Sequence, residues 1–145
     1  MSGHEVLLAL EWLTTTLNAD STLTGLVTGG IWRGSAPVET VPPYIVMNFQ
    51  AGSDVLTLNG VRIYDSLLFQ VKVIGPGTIT TTLLAAANEI DSLLKRTSGV
   101  PLTTDGLGAI LACFRESPVQ IDSLVNGELF SDIGGLYRIQ IQQTS

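Results

Sequence analysis

Apolar residues recur along this chain with two different periods, and the switches between them divide it into helix, strands, helix and strands. From Glu5 to Leu17 the residues Val6, Leu10, Leu13 and Leu17 follow at steps of four, three and four, which places them on one face of an amphipathic helix. Asp20 is suited to cap a short second turn from Ser21 to Val27, which Gly29-Gly30 then breaks. Ile31-Trp32-Arg33 reads as a short extended piece. The loop behind it, Gly34 to Pro43, contains Pro37, Pro42 and Pro43, which cannot donate to a sheet ladder. Tyr44 to Phe49 has the β-branched and aromatic content of a strand.

A period of two is clearest from Val61 to Val73. Val61, Ile63, Leu67, Phe69, Val71 and Val73 share one parity while Arg62, Tyr64, Ser66, Gln70 and Lys72 hold the other, so the strand has a core face and a wetter face. Asn59-Gly60 before it is a hairpin signal, and the arm leading there, Gln50 to Gly60, holds Val55, Leu56 and Leu58. Gly75-Pro76-Gly77 ends the strand. Thr78 or Thr80 is placed to cap a second long helix with the stripe Leu83, Ala87, Ile90 and Leu94; Lys95 and Arg96 complement its dipole and Gly99-Val100-Pro101 stops it. Ala109–Glu116, Val119–Leu124 and Leu136–Gln142 read as strands, with Asn126-Gly127 and Gly134-Gly135 as turns. The fold class expected is α+β, a mainly antiparallel β-sheet with two α-helices packed on one face, in one domain spanning residues 1–145.

Composition sharpens this picture. The chain is 45% hydrophobic and 14% charged with a mean hydropathy of +0.38, against about 25% charged residues in an ordinary globular domain. That excess of apolar surface points to subunit contacts. No run approaches the roughly 18 apolar residues of a membrane span, and Glu5 and Glu11 interrupt the N-terminal run, which no basic residue precedes as in a secretory signal. A net charge of −6 argues against a strong electrostatic grip on nucleic acid or an anionic membrane. Cys113 stands alone, so no intramolecular disulfide or cysteine-rich metal site can form, as suits a protein folded in reducing cytoplasm.

The inventory for chemistry is thin. Gly75-Pro76-Gly77-Thr78 sits between strand and helix but lacks the spacing and the Lys of a phosphate loop. Glu89 and Asp91 lie two apart on a helix and point away from each other, and the other acids read as scattered surface charge. His4 is near the terminus, and Cys113, mid-strand in Ala112-Cys113-Phe114, reads as a buried thiol. Trp12 and Trp32 have few cations beside them and read as packing residues. Arg33, Arg62, Arg115 and Arg138 are expected to pair with carboxylates. The expectation is a protein with no catalytic residues, cofactor or metal.

Several strings resemble, in order, the tail terminator (tail completion) proteins of long-tailed bacteriophages. Leu17 to Val27, with Asp20, Leu23, Leu26 and Val27 in an Asp-x-x-Leu-x-x-Leu-Val pattern, is followed by Gly30-Ile31-Trp32. Ala36-Pro37 and Pro43-Tyr44-Ile45-Val46 come next, then the long strand, the Leu83 to Leu94 helix and the closing Gly135-Leu136-Tyr137-Arg138-Ile139-Gln140-Ile141. The chain departs from the pattern at Ile74-Gly75-Pro76, where many relatives carry an aromatic, and fits it loosely from Val119 to Ile133.

The resemblance implies a structural virion protein, assembled in the host cytoplasm. It would form a hexameric ring that caps the head-proximal end of the tail tube, stops tube polymerisation and meets the neck and head completion proteins. DNA would pass through its lumen without specific binding; six chains at −6 sum to −36. Other neck components (a head-tail stopper or adaptor), a tube-like protein, or a small ligand-binding domain or enzyme are the alternatives. Val55, Leu56 and Leu58 cannot all point into one core from a hairpin arm, so that arm is expected to contact a neighbouring subunit, the tube or the neck.

Overall fold

In a computed structural model, residues 4–56, 58–60, 62–77, 81–95, 108–125 and 127–143 are described. They form α1 (His4–Asn18), α2 (Ser21–Leu26), β1 (Ile31–Arg33), β2 (Tyr44–Leu56), β3 (Arg62–Pro76), α3 (Thr81–Leu94), β4 (Gly108–Val125) and β5 (Glu128–Gln143). The five strands make one sheet in the order β1-β2-β3-β5-β4, with β1 parallel to β2 and every other pair antiparallel. The helices pack on one face, giving the α+β architecture that the two periods predict. α2 adds a third, short helix to the two long ones.

The core lies between that helix layer and the odd-parity residues of β3. Leu67, Phe69, Val71 and Val73 face Ile45 and Met47 of β2, Ile133, Tyr137, Ile139 and Ile141 of β5, and the α3 stripe Leu83, Ala87, Ile90 and Leu94. α1 enters it in a different phase from the expected one. Leu8, Ala9, Trp12, Leu13 and Leu17 are buried, while Val6 and Leu10 only flank the core. Val6 to Leu10 is continuously apolar, so periodicity alone leaves the helix free to rotate, and burial of the large Trp12 indole fixes the angle. Trp32, in β1, is half-buried, and its indole N–H donates to the Gly29 carbonyl at 2.8 Å. The Asp20 carboxylate accepts from the Leu23 amide at 2.9 Å, so the cap forms as read.

Three expectations at the C-terminal half change. The segments Ala109–Glu116 and Val119–Leu124 are one 18-residue strand, β4, with register shifts between Ile110 and Ala112 and between Arg115 and Ser117. Pro118 does not interrupt it because β4 is the edge of the sheet, where a missing amide donor is tolerated. Gly134-Gly135 is not a turn. Both residues lie inside β5, where a Cβ on Gly134 would collide with the Val71 carbonyl oxygen and one on Gly135 would meet the Arg115 Cδ at 2.6 Å. The pair therefore records a close approach of three strands. Gly127, at φ 79, lies between β4 and β5 as the expected turn requires, while Asn126 lies outside the described residues. Gly75 and Pro76 belong to β3, pairing with Ser131 and Phe130, and the strand ends at Pro76, just before Gly77, whose amide donates to the Leu129 carbonyl. The expected caps Thr78 and Thr80, Arg96 and the stop at Gly99-Val100-Pro101 lie outside the described residues.

Candidate functional site

The described surface is organised around two hairpin tips. β1 pairs only with Ile45, Val46 and Met47, so β2 runs on beyond it as an uncovered arm against β3, with a register shift between Phe49 and Ala51. Gly60, at φ 80, turns the chain back. Of the three residues expected to make contacts there, Leu56 is 54% exposed, Leu58 is fully exposed and Val55 is half-buried. Phe49, also exposed, rests on Phe69 with ring centroids 5.4 Å apart.

A second apolar tip stands at the other end of the sheet. Leu124, 74% exposed, and Ile121 lie near the end of β4, where the chain returns through Gly127 into β5. The antiparallel order sets the two tips apart, since the first joins the start of β3 whereas Phe130, just past the second, pairs with Pro76 at the end of β3. Sequence reasoning reads the turn but not the tip, because it ends a strand before Val119 and hides the length of the arm. The available signal is the apolar alternation Val119, Ile121 up to Asn126-Gly127.

The face of the sheet without helices mixes buried Val46 and half-buried Leu68, Ile74 and Leu136 with two ion pairs. Lys72 Nζ lies 3.0 Å from Asp132 Oδ2, and Arg138 meets both Glu116 oxygens, Nε to Oε1 at 2.7 Å and Nη2 to Oε2 at 3.2 Å, while its Nη1 donates to Ser66 Oγ at 3.4 Å. The Arg138 hydrogen bond holds the Glu116 carboxyl below the usual carboxylate range, against the opposing effect of desolvation. On the helix side Arg115 Nε sits 3.9 Å from Asp91 Oδ1, which accepts from the Tyr137 hydroxyl at 3.1 Å. Burial, then the Asp91 charge, push the Tyr137 phenol up. Arg33 donates to Thr14 Oγ1 instead of a carboxylate, and the Arg62 side chain lies outside the described residues.

Carboxylates gather where the sequence reads scattered acids. Glu5 of α1, Asp54 of β2 and Asp65 of β3 bring ligand oxygens within 4.8 Å of one another, with Glu5 and Asp65 buried. The readable signal is Asp65, which shares the core parity of β3 with Ile63 and Leu67. Oxygen ligands of this kind suit hard divalent cations, a class that an inventory of His and Cys leaves out. Glu89 also faces another acid, Asp20. Its carboxyl is raised by desolvation first and then by the hydrogen bond and charge of Asp20.

No nucleophile and base come together among the described residues. Cys113 is buried in β4 beside Ile139 of β5, and His4 is the first residue of α1. A surface depression of 250 Å³ lined by Pro43, Pro76, Thr82 and Leu83 offers no titratable side chain.

No protein-family model matches this chain, and no curated protein matches it. Among solved structures it is similar to a chain from the virion of a native gene transfer agent particle, with a TM-score of 0.68 at 17% identity over 91% of this chain and 92% of that one. A second solved protein is similar over 100% of this chain and 99% of its own, with a TM-score of 0.58 at 16% identity. Both likenesses run the length of the chain and show a shared fold.

Proposed function

We propose that this chain is a structural subunit of a virion, and within it a tail terminator. Its copies close into a ring, of six in the reading that the resemblance favours, on the head-proximal end of the tail tube, where the ring stops tube growth and meets the neck and head completion proteins. The observation that carries the proposal is the pair of exposed apolar tips at opposite ends of one sheet, Leu56 and Leu58 at one and Ile121 and Leu124 at the other. A subunit between two stacked components needs a contact surface at each end, and exposed apolar side chains on projecting tips are suited to that role. The likeness to a gene transfer agent virion chain supports the setting. Closed symmetry keeps head-to-tail contacts within the ring from running on as a fibre. DNA passes through the lumen without specific binding.

Light scattering and negative-stain images of the purified protein, alone and mixed with tail tubes, test this. Discrete rings that dock on tube ends are expected. Open filaments would point to a tube protein, a ring that binds only the head vertex to a stopper or adaptor, and monomers under every condition would end the assignment.

A further inference from the structure

We infer that neighbouring copies of this chain join edge to edge, with the Pro37 to Thr40 turn of one subunit seated in the depression between α3 and β4 of the next and Glu39 set against Lys95 and Arg115. This rests on the ring proposed above. It names the two surfaces that meet in it and the charges that fix their register.

Besides its two hairpin tips the sheet has two lateral edges, β1 with the loop that follows it and β4. On the loop, the Thr40 amide and hydroxyl both donate to the Pro37 carbonyl, at 3.2 and 2.7 Å, and close a four-residue turn with Glu39 in its third position at φ 75. A turn of this kind favours Gly there, and Glu39 is the only non-Gly residue with positive φ among the described residues. Its carboxylate is exposed and makes no ion pair among the described residues, so the strained backbone is not offset by a contact within the subunit. Val38 and Val41 flank it at 93% and 68% exposure. Pro37, Pro42 and Pro43 fix φ on either side, so the turn loses little chain freedom on docking.

The opposite edge is complementary. Asp91, Lys95, Phe114 and Arg115 line a depression of 230 Å³. Lys95 is exposed and makes no ion pair among the described residues, while Arg115, its side chain 40% exposed, reaches Asp91 at 3.9 Å. Phe114 beside them is exposed. One edge thus presents a carboxylate between two valines and the other presents two cations beside an aromatic ring. Head-to-tail contacts in a cyclic ring join unlike surfaces of the same chain. Among subunits of net charge −6, opposite charges at the contact also offset the mutual repulsion and fix the register.

Charge reversal in the full-length protein tests this, read by light scattering against protein concentration, alone and with tail tubes, with melts on the same samples. Glu39→Lys and Lys95→Glu should each raise the concentration for half assembly at least about tenfold, and Glu39→Lys/Lys95→Glu should restore it, because each reversed residue then faces its new opposite on the next copy. Glu39→Gly relieves the positive φ, so it should melt no lower than wild type and still assemble less well. That variant decides the matter if Glu39→Lys fails to fold. Rings indifferent to both single reversals, losses that add in the double variant, or a Glu39→Gly protein that assembles like wild type overturn the inference and leave the ring. Loss and rescue seen in open chains of subunits uphold the contact and sink the ring, whereas monomers under every condition sink both.

Discussion

Gly134 and Gly25 show how far one residue type can differ in its physical role. At Gly134 a Cβ has no room beside the Val71 carbonyl, and Gly134→Ala should destabilise the protein by about 1–3 kcal/mol, read as a lower urea midpoint. Gly25, in α2, has nothing within 4 Å of its missing Cβ. Gly25→Ala should stabilise by about 0.5–1 kcal/mol, because alanine gives up less chain entropy in a helix. The same two-state melts check both, and a destabilised Gly25→Ala would show that α2 is not helical. Cys113 and His4 are the remaining residues of reactive type. Cys113→Ala and His4→Ala should both leave assembly intact, alanine being chosen because a buried serine hydroxyl would need a partner.

At the scale of elements, the junction of α2 and α3 carries a like-charge cost. Glu89 of α3 faces the Asp20 carboxylate that caps α2, and its carboxyl is raised. A carboxyl whose folded pKa lies above its unfolded value binds its proton more tightly in the folded state. It therefore lowers stability at pH 7, and that cost disappears as the pH falls through the folded pKa to below the unfolded one, about 4.3. Glu89→Gln should raise the melting midpoint at pH 7 by a small margin and lose the advantage near pH 4. Glu116 runs the other way. Its depressed carboxyl contributes stability above the unfolded pKa that is lost as the pH falls through the folded one, so Glu116→Gln should cost more at pH 7 than at pH 3.

At the scale of the molecule, folding and assembly should separate. The Val55, Leu56 and Leu58 side chains lie on an arm that β1 does not cover, and two of them are exposed. Replacing all three with Ser should leave the melting midpoint near that of wild type yet impair ring formation or head joining, judged by light scattering and by the yield of infectious particles. An early melt with normal assembly at low temperature would mean instead that the arm serves its own sheet. The Glu5, Asp54 and Asp65 cluster bears on the expectation that no metal is needed. Assembly and melting in EDTA should match those in millimolar calcium or magnesium, and a clear upward shift with either ion would overturn it.

The sequence alone determined the elements that local chemistry enforces. The α3 stripe, the Asp20 cap, the proline loop from Gly34 to Pro43 and the alternation of β3 are read from spacing, since helix and strand periods and caps are properties of neighbouring residues. The hairpin tip at Leu56 and Leu58 was legible for the same reason, as apolar residues before an Asn-Gly turn. Only the tertiary structure decided what depends on a distant partner. The phase of α1 follows from where Trp12 is buried; Gly134-Gly135 is strand because β3 and β4 crowd it; Pro118 is tolerated because β4 is an edge. The cluster of Glu5, Asp54 and Asp65 and the pairing of Lys72 with Asp132 join residues up to 60 positions apart. Sequence spacing carries no information about such pairs, because the order of strands in the sheet is what brings them together.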